Sequence, residues 1–178
     1  MGVCNGFQTL VKSGLLPNLD GSKKQTVSLT NNANGRFTCS WVSLKKSLNI
    51  EDRCVWTKGI DSLDLPIAHG EGNFVYNNQT LIRTLFAQSL VVFQYVDQNG
   101  VPSMDLAYNP SGSMYSVAAL CDPSGRVFGL MPHPERYVNP LQHPQSQLQK
   151  ALGRLPCEGA GLQIIRNGVD YALENLVR

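Results

Sequence analysis

No stretch of this sequence comes near the ~20 consecutive apolar residues that cross a bilayer as a helix. Charge of either sign is also scarce: 15 Lys and Arg stand against 13 Asp and Glu, for a formal net charge of +2. That balance leaves no basic stripe for nucleic acid and no polybasic patch for an anionic membrane. Neither nucleic acid nor membrane is therefore an expected partner. The five cysteines, Cys4, Cys39, Cys54, Cys121 and Cys157, are odd in number, and no two have C-x-x-C spacing. Such a set argues against a zinc site and against a secreted disulfide framework. A reducing cytoplasm is the expected compartment, and no signal-peptide pattern opens the chain. Internal repeats, long linkers and low-complexity segments are absent too. What remains is a chain of 178 residues, 42% apolar, enough for one domain with a sizeable core.

The chemistry begins at the first residues, Gly2-Val3-Cys4-Asn5-Gly6. This is the G-x-S-x-G form of a nucleophile elbow, with sulfur in place of oxygen. A sharp strand-to-helix turn holds its nucleophile in a strained conformation, and side chains two positions away would clash, so glycine fits there. Phe7, Leu10, Val11 and Leu15 then recur at helical spacing, with Gly14 able to close a helix and Pro17 preventing its continuation. Cys4 is thus expected at a helix N-terminus, where free N–H groups and the dipole favour a thiolate and can hold an oxyanion. The plain alternative is a cysteine that serves only as a small buried hydrophobe.

Further along, Gln25–Thr30 and Arg36–Leu44 read as strands around the turn Asn31-Asn32-Ala33-Asn34-Gly35. Leu65-Pro66-Ile67-Ala68 reads as a strand end running into the glycine-rich loop His69-Gly70-Glu71-Gly72. Such a junction is where α/β enzymes place active-site groups, although His69 could equally be a loop histidine with no role in catalysis. Asn77–Ala87 is expected to be a helix and Leu90–Tyr95 a strand. Tyr115–Cys121 and Val127–Met131 form two strands joined by the hairpin turn Asp122-Pro123-Ser124-Gly125. Leu141–Gly153 is helix or loop, broken by Pro144. The tail Gly161–Arg178 is an amphipathic helix whose Leu162, Ile165, Val169, Leu173 and Leu176 should face the core.

The second half of a site is written in Pro132-His133-Pro134-Glu135. Proline restricts its own φ and the residue before it, so the segment should be extended and stiff. Residues two apart in a strand share a side, which lets the carboxylate fix the imidazole and the imidazole shuttle a proton to a thiol. The alternative is a surface His–Glu pair worth little.

Taken together, Gly2-Val3-Cys4-Asn5-Gly6-Phe7-Gln8, His69-Gly70-Glu71-Gly72, Asn109-Pro110-Ser111-Gly112-Ser113 and Gly125-Arg126-Val127-Phe128-Gly129-Leu130-Met131-Pro132-His133-Pro134-Glu135-Arg136 closely resemble one family. It is the triad (class I) glutamine amidotransferases, and within it the glutaminase of phosphoribosylformylglycinamidine synthase of purine biosynthesis. The resemblance covers essentially the whole chain. It implies an α/β fold of the flavodoxin-like amidotransferase type. Residues 1–178 would be the C-terminal two-thirds of the family's domain, with the N-terminal βα units, and a loop that gives a second oxyanion donor, missing. Residue by residue, Cys4 matches the nucleophile, His133 the general acid/base and Glu135 the group that orients it. The Asn5 N–H matches an oxyanion donor, Gln8 lies near the substrate, and His69, Gly70 and Glu71 resemble the loop that meets the α-amino and carboxylate end of glutamine.

The implied reaction is hydrolysis of glutamine through a cysteine thioester. The ammonia would pass to a separate synthetase domain or subunit that aminates formylglycinamide ribonucleotide. ATP and Mg would be used by that partner; this chain has no phosphate-binding glycine loop, and no cofactor or metal is expected in it. Two other readings stay open: an inert module that only binds the synthetase, and a Cys-His-Glu hydrolase of another amide.

Overall fold

A computed structural model describes residues 1–47 and 53–177. β1 (Gly2–Val3) turns at Cys4 into α1 (Asn5–Lys12). β2 (Val27–Thr30), β3 (Thr38–Lys46), β4 (Ser62–His69) and β5 (Asn73–Tyr76) precede α2 (Gln79–Ala87). β6 (Val91–Tyr95), β7 (Val117–Cys121) and β8 (Phe128–Leu130) come next, then α3 (Ser146–Ala151) and α4 (Gly161–Asn175).

Among the described residues, six strands form one sheet in the order β1-β8-β7-β6-β3-β4, and β2 pairs with β5 in a second. The expected α/β class holds, and the strand–turn–helix at Cys4 sits on the parallel pair β1–β8. The rest of the sheet is antiparallel: the hairpin β7–β8 anticipated at Asp122–Gly125, then β7–β6, β6–β3 and β3–β4. The sheet curls until its two ends meet. The segment leaving β8 passes β4, where the His133 N–H donates to the Pro66 carbonyl at 2.8 Å.

The curl explains the burial pattern. β6 and β7, in the middle of the sheet, are buried at every position, as apolar runs covered on both faces must be. β4 alternates, burying Leu63, Leu65, Ile67 and His69, so His69 belongs to the core face. α1 lays Phe7 and Val11 against the sheet. Its approach requires Gly129 on β8, where a Cβ would stand 2.2 Å from the Phe7 ring. Beyond Lys12 the chain leaves the helix through Gly14 at φ +71°, the closing residue expected.

Several boundaries move. β7 begins at Val117 rather than Tyr115, because Tyr115 and Ser116 take left-handed φ values of 52° and 57°. Leu141–Gly153 divides into a 3₁₀ turn at Pro140–Gln142 and the short α3. The tail is a helix, but its face is not the expected one. Gly161, Ile164 and Asn167 are buried, whereas Val169, Leu173 and Leu176 are exposed. Small and polar groups win the inward face because the helix lies very close to its neighbours. A Cβ on Gly168 would sit 2.1 Å from the Trp56 ring, and the Asn167 amide donates to the Trp56 and Lys58 carbonyls at 3.0 and 2.9 Å. Arg178 lies outside the described residues. No described helix is long and apolar enough to cross a membrane.

Candidate active site

Cys4 stands at the junction of β1 and α1 with φ 51° and ψ −107°. That is a strained conformation for a residue with a side chain. It persists because both flanks are tied down. The Cys4 N–H donates to the Leu130 carbonyl of β8 at 2.8 Å, and its carbonyl accepts from the Gln8 N–H at 3.1 Å. Gly2 answers the steric argument for the elbow, since a Cβ there would lie 2.6 Å from the Gly6 carbonyl oxygen. Gly6 does not, because a Cβ on it meets nothing within 4 Å.

Burial pushes the Cys4 thiol up from its ordinary value, outweighing the Asn5 N–H and Arg136, which pull it down. The thiol points to the Ala68 carbonyl of β4, 3.9 Å away.

His133 and Glu135 come together as expected, with His133 Nδ1 and Glu135 Oε1 2.6 Å apart. The local geometry differs from an extended strand. His133 is extended at φ −105°, ψ 94°, but Pro134–Arg136 is a 3₁₀ turn, with proline at its start. The turn folds the carboxylate back onto the ring. With Nδ1–H donating to Glu135, Nε2 of His133 carries the lone pair; it is buried and, among the described residues, has no hydrogen-bond partner. His133 and Cys4 are thus braced from one strand: Pro66 O holds the His133 backbone, and Ala68 O faces the Cys4 thiol. Carbonyls two residues apart leave a strand on the same side.

The remaining expected residues lie on α1 and at the end of β4 and the loop after it. Asn5 and Gln8, on α1, and Glu71 line a cavity of about 310 Å³ together with Thr9, Lys12 and Gln25. Gln8 Nε2 donates to the Glu71 carbonyl at 2.6 Å, which ties α1 to the glycine-rich loop. Glu71 works through its peptide; its side chain is exposed. Gly70 contributes its carbonyl, which accepts from the Asn32 N–H at 2.8 Å. His69 is buried, at 3% exposure, rather than lying free in the loop. Burial, reinforced by the nearby His133, lowers its pKa to about 4.

Two features were not foreseen. The β4 carbonyls are backbone groups that no side-chain pattern marks. Asn32 read only as part of a turn, and its partners lie 37 and 40 residues away in the chain. Among the described residues, no group of three or more His, Cys, Asp or Glu is placed to hold a metal ion.

An elbow cysteine with a His–Glu pair and an N-terminal N–H beside the sulfur can perform acyl transfer from an amide. Residues 1–172 match the family model of the CobB/CobQ-like glutamine amidotransferase domain, and the chain belongs to that family. More particularly, it is 42% identical over 174 residues to the phosphoribosylformylglycinamidine synthase subunit PurQ of Dehalococcoides mccartyi, covering 97% of this chain and 63% of that one. It is 39% identical over 180 residues to the subunit of the same name from Methanococcus maripaludis, covering 96% and 64%. In three dimensions it is similar to a chain of the structure of PurLQS from Thermotoga maritima, with TM-score 0.63 and 28% identity, over 96% of this chain and 60% of that one. The chain therefore spans a little under two thirds of the length of these relatives.

Proposed function

We propose that this chain is the glutaminase of a phosphoribosylformylglycinamidine synthase, acting on glutamine and delivering ammonia to a synthetase partner. The observation that carries the reading is the joint bracing of Cys4 and the His133–Glu135 pair by β4. The similarity to PurQ subunits supports the choice among amidotransferases. Glutamine enters beside α1, its γ-carboxamide at Cys4 and its α-amino and carboxylate end toward the His69–Gly72 loop. As sulfur attacks the carboxamide carbon, the thiol leaves the Ala68 carbonyl and its proton passes to Nε2 of His133. Glu135, on Nδ1, stabilises the imidazolium that results. The Asn5 N–H, already close enough to bear on the sulfur, receives the developing oxyanion. His133 returns the proton to the departing ammonia. Water, deprotonated by the same nitrogen, then opens the thioester to give glutamate and the free thiol.

The ammonia is consumed in the partner, where ATP, with magnesium, activates the amide of formylglycinamide ribonucleotide. On this reading the protein works with the enzymes of purine biosynthesis, and the cytoplasm is the compartment we propose for it. The test is glutamate release from glutamine by this chain, with and without the synthetase, in wild type and Cys4→Ala. The expected result is glutamine-dependent synthesis that Cys4→Ala abolishes and that free ammonia restores. Synthetase binding without glutamate release would favour an inert docking module. Release from another amide in preference to glutamine would favour a different hydrolase.

A further inference from the structure

Asn32 lies at the start of a turn, yet it is 2% exposed and every hydrogen-bonding position of its amide is used. Its Nδ2 donates to the Arg36 carbonyl at 2.9 Å and to the His69 carbonyl at 2.8 Å. Its Oδ1 accepts from the Gly72 N–H at 3.0 Å and lies 3.1 Å from His69 Nδ1. Two carbonyls on one side and a peptide N–H on the other leave one orientation for the amide. Oδ1 can only accept, so Nδ1 of His69 must carry the proton and Nε2 the lone pair. Gly72 packs closely against the ring: a Cβ there would lie 2.1 Å from Cε1. Nε2 is buried and, among the described residues, has no hydrogen-bond partner.

The two histidines of the site therefore have the same tautomer from different causes. His133 gives its Nδ1–H to the Glu135 carboxylate, and His69 gives its own to the Asn32 amide. A carboxylate stabilises an imidazolium; a neutral amide does not. We propose that Asn32 is a positioning residue for glutamine binding: it holds His69 as a neutral imidazole whose unpartnered Nε2 accepts a hydrogen bond from an N–H of the substrate. The proposal rests on the glutaminase reading above. The groups facing His69 fit a neutral ring. His133, with Glu135 behind it, comes from the segment after β8, and Cys4, whose thiol points at the adjacent Ala68 carbonyl, comes from the head of α1. β3 sets the uncharged Thr38 opposite it. A second imidazolium beside His133 would oppose the charge that His133 must take up during turnover.

The test has two arms. The protein has three histidines, so ¹⁵N-histidine NMR of the full chain can resolve them. His69 should show a protonated Nδ1 and a bare Nε2, unchanged from pH 8 to pH 5.5. An Nε2–H tautomer, or titration within that range, overturns the proposal whether or not the chain proves to be a glutaminase. In the second arm, the synthetase complex carrying Asn32→Asp is assayed for glutamate release. The new carboxylate should raise the His69 pKa, so protonation would remove the acceptor as pH falls. The KM for glutamine should then rise roughly tenfold between pH 8 and pH 6, against a flat wild-type profile, with a smaller change in kcat. A purely structural role would raise KM equally at every pH, and that result, or an unchanged KM, sinks the idea while wild-type turnover leaves the glutaminase reading standing. If Asn32→Asp does not fold, the NMR arm alone decides.

Discussion

Gly161 offers a way to disturb the base without touching it. It is the first residue of α4 and lies under the turn that carries His133 and Glu135. A Cβ at Gly161 would stand 2.0 Å from the Pro134 carbonyl oxygen and 2.7 Å from its carbon, where contacts under 3.0 Å essentially do not occur. Gly161→Ala must therefore displace the turn or the helix by about 1 Å. The turn has little room to give, since Pro134 O also accepts from the Tyr137 N–H at 3.1 Å. Overpacking of this kind costs ~1–3 kcal/mol of stability. A 1 Å misplacement of a catalytic group costs about 100-fold in rate. Gly168→Ala is the matched control on the same helix. Its Cβ would lie 2.1 Å from the Trp56 ring, remote from the catalytic turn. It incurs a similar packing cost, offset by ~1 kcal/mol because alanine is the better helix former. Urea denaturation of both variants, with kcat for glutamate release at saturating glutamine, separates the two effects. We expect both to lose stability and only Gly161→Ala to lose about two orders of magnitude in kcat. Unchanged kcat in a folded, destabilised Gly161→Ala would refute the claim that α4 sets the position of His133.

Other outcomes follow from the same geometry. Because burial holds the Cys4 thiol above its ordinary 9.0, its labelling by neutral iodoacetamide should climb with pH from 7 to 9 without a plateau, as thiolate is the reactive form. A glutamine-mimicking electrophile should still label Cys4 before the exposed Cys39 and Cys157, and peptide mapping that finds either exposed cysteine first counts against the assignment. His133→Ala should lower kcat about 100- to 10,000-fold, the range for loss of a general acid–base. Glu135→Gln should cost less, as it removes charge but leaves the proton carrier, and equal losses in steady-state assays would show that orientation outweighs the base itself. Asn167→Ala leaves the Trp56 and Lys58 carbonyls without their donor, which should destabilise the fold by ~1–3 kcal/mol in chemical denaturation while leaving glutamate release intact.

The readable parts of the site were those held by local covalent constraint. Gly2 beside Cys4, and the prolines around His133 and Glu135, limit local geometry in ways the sequence displays, and the family resemblance carried by these motifs assigned their expected roles. The hairpin β7–β8 and the apolar runs of β6 and β7 were legible for a similar reason. What depended on distant partners was not. Asn32 acquires its role only when the His69–Gly72 loop folds over it. The inward face of α4 was misread because apolar periodicity assumes a neighbour at side-chain distance. Gly161 and Gly168 admit Pro134 and Trp56 much closer than that, leaving Val169 and Leu173 outside. The α1 terminus beside Cys4 is visible in sequence, whereas the burial that raises its thiol pKa belongs to the folded sheet.

β4 joins these observations physically. It is the last strand in the order of the sheet, so one side of it has no ladder partner there. Such an edge is ordinarily a liability, since unpaired backbone groups invite another strand. Here the edge is taken up inside the molecule. Pro66 has no N–H to leave unsatisfied, and its carbonyl is bound by the His133 N–H. Two residues on, the Ala68 carbonyl faces the Cys4 thiol, and the next residue is His69. Curling the sheet therefore covers its open edge and brings Cys4, His133 and His69 to that edge in one step. The same contact sets the resting chemistry. The thiol faces the Ala68 carbonyl and, among the described residues, the buried Nε2 of His133 has no hydrogen-bond partner, so the proton transfer proposed above requires the sulfur to turn from that carbonyl toward the imidazole.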